Sequence, residues 1–381
     1  MNNTNIQYFK FTNLNILPFV NTQLGSSKIH NDPHFLTDFK TLCGNIDYIP
    51  ITLDKVPRIV VFGDIHGDFN LVLNLLKLSG VATYIGNDEF LWTGGSTYVV
   101  QIGDQIDRCR PSYNTSCNNP LTTFNDEHSD IKILKLFTNL HKQAIKVGGK
   151  VISLLGNHEI MNSLGYLDYV SYKGLQGFYN YKDPQDPNLI FNNGTNARKY
   201  AFAPGNEYGK LLGCTRVSTV IIGSNLFVHA GLVTSLIHKL NLVDVNDLEN
   251  INIAIRKWLL GILDIKYVNN LINGSLFWTR ILGNLPPNVP LDNPICLQNI
   301  GDVLKIFNLN GMIIGHTPQS FMNNDSINHT CGDKVWRVDN GSSIAFNNLD
   351  STFISSGIIN SKRNVQYLEI LNDSIYNIHS I

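Results

Sequence analysis

Five times along this chain, a short β-branched or apolar run ends in glycine or alanine set beside aspartate, asparagine or histidine. The runs are RIVVFGD (58–64), YVVQIGD (98–104), VISLLGNHE (151–159), NLFVHAG (225–231) and MIIGHT (312–317). A sixth, KVWRVDNGSS (334–343), follows the same grammar. Runs of this length and composition predict buried strands. Helical spacing of apolar residues fills the early intervals, at FNLVLNLLKLSG (69–80) and DIKILKLFTNLHKQAIKVGG (130–149), each closed by glycine. The chain is therefore expected to be α/β, with its ligand site beyond the carboxyl ends of the strands. One polar strand end is ordinary, whereas five predict a single convergent site.

Composition narrows the classes. With 381 residues, 43% of them hydrophobic and 15% charged, the chain can bury a full core. A formal net charge of −1 provides no global field for nucleic acid or an anionic membrane. No run is long and apolar enough to predict a membrane span, and the first residues lack the pattern of a signal peptide. Cys43, Cys109, Cys117, Cys214, Cys296 and Cys331 show no C-x-x-C spacing. They are expected to be mostly reduced thiols in a cytoplasmic protein, with Cys109 and Cys117 spaced to close a small loop. Residues 1–54, polar and irregular, read as an N-terminal extension. A catalytic domain is expected over 55–345, with a surface insertion at 109–130 and cap segments at 160–215 and 235–300. Residues 346–381 are expected to pack on it as a C-terminal extension.

The strand ends carry metal chemistry. Asp64, His66, Asp104, Asn157, His229 and His316 offer carboxylate, imidazole and amide donors suited to Mn, Fe, Zn or Co, and the lack of cysteine speaks against structural zinc. Six donors exceed the needs of one open ion. Asp104, the first carboxylate off the second strand end, is the expected bridge between two ions, roughly 3.5–4 Å apart in such sites. A pair of this kind clamps a phosphoryl oxygen and supplies hydroxide for in-line attack. His158 follows a ligand directly, and on extended backbone adjacent side chains diverge, so it is placed to act as general acid. Asp107 would fix its tautomer. Arg108 offers a fork matched to phosphate oxygens, and Arg280, in LFWTR, a second contact. Glu159 is expected to make structural hydrogen bonds behind the site. Taken singly, a Gly-Asp pair is a turn, a lone histidine a core residue, and Asp107-Arg108 a surface ion pair. Their order along the chain is what singles them out.

GDIHG, GDQIDR, GNHE, HAG and GHT occur in the order of the signature of the phosphoprotein phosphatase family of calcineurin-like metallophosphoesterases, which the chain resembles over roughly residues 56–345. LLGNHEIMNSLGYLDYV, YAFAPGNEYGKLL, LFWTR, IIGHTPQ and VDNGSS are similar to its bacterial-type Shewanella-like branch. The resemblance implies a β-sandwich flanked by helices, α/β/β/α, with a cap built from the insertions. It implies two divalent ions, one on Asp64, His66 and Asp104, the other on Asp104, Asn157, His229 and His316. Manganese is the usual assay ion, with Fe/Zn as plausible. It also implies His158 as proton donor oriented by Asp107, and Arg108, Arg280 and Asn157 near the substrate phosphate. The expected function is hydrolysis of phosphoserine, phosphothreonine or phosphotyrosine in a protein or peptide, without nucleic-acid or membrane partners. A nucleotide hydrolase similar to diadenosine tetraphosphatases, which share GHTP, is the alternative. A phosphate-binding pseudophosphatase would need a lost ligand, Arg108 or His158, and all are present. One departure stands out: where the family usually has glycine after GDQIDR, this chain has Cys109 and then Arg110-Pro111. It bears on substrate preference and on the position of Arg108.

Overall fold

Alternation along the strands decides the layering, because successive side chains leave a strand on opposite faces. The computed structural model describes residues 34–86, 89–111 and 115–381, leaving 1–33 of the expected N-terminal extension and 112–114 of the expected insertion outside the described residues. Its strands are β1 (Thr52–Leu53), β2 (Arg58–Phe62), β3 (Ala82–Gly86), β4 (Glu89–Trp92), β5 (Tyr98–Gln101), β6 (Lys150–Leu154) and β7 (Arg216–Val217). They continue with β8 (Thr219–Ile222), β9 (Asn225–Val228), β10 (Gly311–Ile314), β11 (Asn328–Thr330), β12 (Val335–Arg337), β13 (Gln366–Leu371) and β14 (Ile375–Ser380). Two six-stranded sheets result, ordered β14-β13-β2-β5-β6-β7 and β1-β8-β9-β10-β12-β11, with β3 and β4 paired apart.

In the first sheet, Ile59, Val61, Val100, Ile152 and Leu154 face inward and meet Val220, Ile222, Phe227, Ile313 and Trp336 of the second. The alternate residues Val60, Phe62, Val99 and Val151 face outward against helices α2 (Phe69–Ser79) and α3 (Asp130–Ala144). On the second sheet, Ile221, Leu226, Val228, Met312 and Ile314 face outward toward the helices Val245–Leu259 and Pro294–Ile306. The architecture is thus the expected sandwich of two mixed sheets between helical layers. Strands β2, β5 and β6 run parallel, as do β9, β10 and β12, so each sheet sends three neighbouring carboxyl ends the same way. Local signals set the helix ends: Asp68 caps α2 by accepting from the Leu71 N–H at 3.0 Å, and Gly80, at φ 67°, ends it.

Residues 34–54, read from sequence as irregular, hold helix α1 (Phe35–Cys43) and strand β1, which pairs with β8. Phe35 and Phe39 pack there against Ile253 and Leu260. At the other end, β13 pairs antiparallel with β2 and β14 with β13. The cysteine expectation is corrected: all six are bridged, as Cys43–Cys214, Cys109–Cys117 and Cys296–Cys331. Spacing rules see cysteines close in sequence. The fold instead brings together a pair 171 residues apart, by docking α1 beside the start of β7. Among the described residues, no helix is long and apolar enough to cross a membrane.

Candidate metal centre

Each expected donor leaves the carboxyl end of a parallel strand. Asp64 and His66 follow β2, Asp104 follows β5, Asn157 follows β6, His229 follows β9 and His316 follows β10. All six are buried. Their backbones turn sharply: His66, Asp104, Asp107 and His316 hold positive φ at 49°, 52°, 74° and 67°. Left-handed backbone in non-glycine residues costs about 1–3 kcal/mol each and gathers where a site is over-determined by its surroundings. Glycines admit the close approach. A Cβ on Gly156 would lie 2.1 Å from Asp104 Oδ1, and one on Gly315 would lie 2.3 Å from Asp64 Oδ1.

Asp104 is the hub. One Oδ2 lies 3.8 Å from both His66 Nε2 and His158 Nε2, while Oδ1 lies 3.4 Å from His229 Nε2. Donor atoms of His66, Asp104 and His158 fall within 4.8 Å of one another, and so do those of Asp104, His229 and His316. Asp64 Oδ2 stands 3.9 Å from His66 Nε2 and accepts the His316 N–H at 3.0 Å. Asn157 Oδ1 is 3.0 Å from His229 Nε2. The far nitrogens of two imidazoles are fixed by carbonyls: His229 Nδ1 by Ile102 O at 3.0 Å, and His66 Nδ1 by Ile106 O at 3.4 Å. That leaves their Nε2 atoms turned inward, the usual arrangement for a metal-ligating histidine.

The electrostatics fit cations. Burial, and then the carboxylates of Asp339 and Asp104, push the Asp64 carboxyl well above the ordinary range. Burial, and then Arg110 and His158, hold His66 well below its ordinary value. Burial, followed by Arg280 and His229, does the same to His316. Burial opposes ionisation of Asp104, yet His229, His158 and His66 outweigh it and keep the group well below the usual carboxylate range. Crowded, desolvated carboxylates beside imidazoles are what divalent cations compensate.

Behind the donors lies a second set of contacts. Glu159 accepts from the backbone N–H groups of Asp104, Gln105 and Gly156 at 2.9, 2.8 and 2.7 Å, tying the β5 and β6 ends together. His158 stands in the first turn of helix α4 (Asn157–Ser163), so it is not on extended backbone as its sequence context suggested. Its N–H donates to Asp104 Oδ1 at 3.0 Å, and its Nδ1 lies 2.7 Å from Asp107 Oδ2. One helical turn on, Asn162 donates to Asp107 Oδ1 at 2.9 Å, and Arg198 Nε donates to Asn162 Oδ1 at 2.8 Å. Asn162 had a signal, its i+4 spacing from His158 on one helix face, whereas Arg198 stands two residues before the YAFAPGNEYGKLL segment and outside it.

The two expected phosphate arginines have different partners. Arg280 Nη1 donates to His316 O at 2.8 Å, beside the donors. Arg108 Nη1 is 3.8 Å from Asp68 Oδ2 and its Nη2 donates to Asn125 O at 3.3 Å, while its buried Nε and Nη1 have no hydrogen-bond partner among the described residues. Two groups near the centre, Asp339 and Arg110, stand in segments quoted from the sequence but carried no assigned role there. Burial raises the Asp339 carboxyl to about 6, and that carboxylate in turn acts on Asp64.

The profile of the family described as "Calcineurin-like phosphoesterase" matches residues 57–320, which span every donor named above. The chain belongs to the calcineurin-like phosphoesterase family. It is similar to the uncharacterized protein R398 of Acanthamoeba polyphaga mimivirus, at 38% identity over 64% of this chain and 96% of that protein. It is similar also to Shewanella-like protein phosphatase 2 of Arabidopsis thaliana, at 29% identity over 76% of this chain and 72% of the relative. Among solved structures, the cold-active protein-tyrosine phosphatase of a psychrophilic Shewanella species shares the fold, with a TM-score of 0.56 and 19% identity over 88% of this chain and 83% of that one. A calcineurin-like phosphoesterase is a hydrolase dependent on divalent metal ions, and the buried His and Asp groups here are of the kind that hold them.

Proposed function

We propose that the chain hydrolyses phosphomonoesters on phosphorylated proteins or peptides, at a centre of two divalent ions bridged by Asp104. The observation that carries this reading is the sharing of Asp104 by both donor groups, with a carboxylate-paired histidine alongside. Asp64, His66 and Asp104 would hold one ion; Asp104, Asn157, His229 and His316 would hold the other. Manganese, or iron with zinc, suits these donors. Such ions, when bound, neutralise phosphoryl oxygens and lower the pKa of water.

The chain's own residues divide the remaining work. Asp107 accepts a hydrogen bond from the Nδ1–H of His158, which turns Nε2 toward the site as a proton donor to the leaving oxygen. The ester P–O bond breaks, a bond from the water oxygen to phosphorus forms, the His158 Nε2 proton goes to the departing alkoxide or phenoxide, and the proton released by the attacking water restores His158. Asn162 and Arg198 hold Asp107 in place. The protein substrate class is supported by the relative named a protein phosphatase. The cytoplasmic expectation rested on the lack of a signal-peptide pattern and on scattered cysteines without C-x-x-C or framework spacing. With all six paired, the disulfides favour an oxidising compartment instead.

The test is turnover of phosphoserine, phosphothreonine and phosphotyrosine peptides by manganese-reconstituted protein and its His158→Ala variant, with diadenosine tetraphosphate in parallel. Peptide hydrolysis lost in the variant supports the reading. Turnover of the dinucleotide alone replaces it.

A further inference from the structure

Behind the metal donors, a buried arginine grips the residue that follows Asp104. Arg216 opens β7, at the edge of the first sheet, and is fully buried. Its guanidinium donates to Gln105 Oε1 from both Nε and Nη2, at 3.2 and 2.9 Å, and from Nη2 to Leu134 O at 2.8 Å. Nη1 donates to the hydroxyls of Thr138, at 2.7 Å, and of Thr215. All of these contacts end on uncharged oxygens. Burial lowers the guanidinium to about 10, and the carboxylate that works against this shift is Glu159, the acceptor of the Gln105 backbone N–H. A buried cation answered by neutral dipoles is a costly staple, and apolar side chains of similar volume would join α3 to the sheet at less cost.

Gln105 stands where the donor scaffold converges. Its backbone N–H and that of Asp104 both donate to Glu159, and its side-chain Nε2 donates to Ser153 Oγ of β6 at 3.1 Å. The carbonyl of Asp104 accepts the N–H groups of Ile65 and His66 at 3.0 and 2.9 Å, and that of Gln105 accepts the Gly67 N–H at 2.9 Å. The turn after β2 therefore hangs from the turn after β5. Asp104 and His66, the donors joined in this way, both hold left-handed backbone. Such conformations persist where the surroundings over-determine them. A Gln105 side chain held between Arg216 and Ser153 supplies that restraint from behind, with no contact to the donor atoms themselves.

We propose that Arg216 is a positioning residue for the metal centre: by clamping the Gln105 side chain, it fixes the turn that presents Asp104 to both donor groups and carries His66. This rests on the two-ion reading above and names a residue that sets its geometry from outside the donor set. The partnership spans 111 residues. It crosses β6, whose Ser153 is paired with Arg216 in the sheet and accepts from Gln105.

The test is calorimetric binding of manganese to the metal-free 381-residue chain, with the electron paramagnetic resonance spectrum of the loaded protein. The variants are Arg216→Met, Gln105→Leu, the two combined, Arg216→Lys, and Leu76→Ala as a control in the core beneath α2. Arg216→Met and Gln105→Leu are each expected to weaken manganese by roughly 10- to 100-fold and to change the spectrum, the effect of losing a group that orients ligands. The combined variant is expected to lose no more than the worse single one, since both act through one contact. Arg216→Lys, which keeps the charge and loses the fork, falls in between. Leu76→Ala is expected to lower Tm and keep manganese affinity within about threefold. Unchanged affinity and spectrum in Arg216→Met overturn the proposal, as do losses that add in the combined variant or an equal loss in Leu76→Ala. If Arg216→Met does not fold, Gln105→Leu decides the matter: native affinity ends the proposal, and weakened affinity at near-native Tm sustains it. A wild-type chain that binds no manganese removes the two-ion reading and this proposal together, whereas binding that the variants leave intact removes this proposal alone.

Discussion

The floor and the rim of the centre are built by different means. The floor consists of strand ends, whose backbones are fixed by two sheets and whose donors point where the pleat and a few left-handed residues send them. The rim consists of loop residues, Arg110, Tyr169 and Phe346, held by a disulfide, two side-on hydrogen bonds and ring contacts. Strand ends tolerate no rearrangement without loss of the sheet, so they suit ligands whose spacing must not vary. Loops can be exchanged without disturbing the strands, so they suit contacts that choose the substrate. The difference teaches where robustness and specificity reside: the floor is insured by the fold, the rim by a few local ties.

The sharpest way to break this comparison is to damage the floor. Asp104→Asn is expected to lower kcat/KM by roughly 10³-fold or more, because both donor groups lose their common charge. Metal analysis should show fewer ions per chain while circular dichroism stays native, and retention of two ions would refute the bridging role. Next in size is the proton donor. His158→Ala and Asp107→Asn should each slow phosphoserine peptides by roughly 10²- to 10³-fold, and p-nitrophenyl phosphate much less, since a good leaving group needs no proton. Equal losses on both substrates would mean that His158 acts as a ligand. The smallest expected effect comes from the rim. Opening the Cys109–Cys117 bridge by a double serine substitution should cost about 2–3 kcal/mol at most on loop-entropy grounds, and raise KM with little change in kcat. A fall in kcat with unchanged KM would show that the bridge supports the floor.

Legibility in the sequence divided along the same line. The strands, the layers and the gathering of the six expected donors at strand ends were readable because each is encoded locally: a β-branched run fixes the strand, and glycine next to a donor marks the place where the backbone must approach closely. Even the role of Glu159 was readable from its place after His158. What could not be read depends on contacts between distant residues. Arg198 joins the Asp107 network from just before the YAFAPGNEYGKLL segment, and Cys43 finds Cys214 only once α1 docks. His158 was placed on extended backbone because GNHE continues an apolar strand, but the helix begins at Asn157 and the side chain reaches its partner by helical geometry. The motif that specifies Arg108 is silent on the carboxylates that surround it, Asp68 first among them.

The pairing of β13 with β2 has a bearing on how the chain comes to exist. Leu368 lies opposite Val61, so the strand that delivers Asp64 acquires one of its two neighbours from a segment made about 310 residues later. At roughly 5–20 residues per second, a ribosome needs about 15–60 seconds to cover that interval. Throughout that time the nascent β2 has an open hydrogen-bonding edge, the kind of surface that recruits wrong strands. The metal centre is then among the last parts of the molecule to be secured, and premature arrest of translation leaves its first donors on an unfinished sheet.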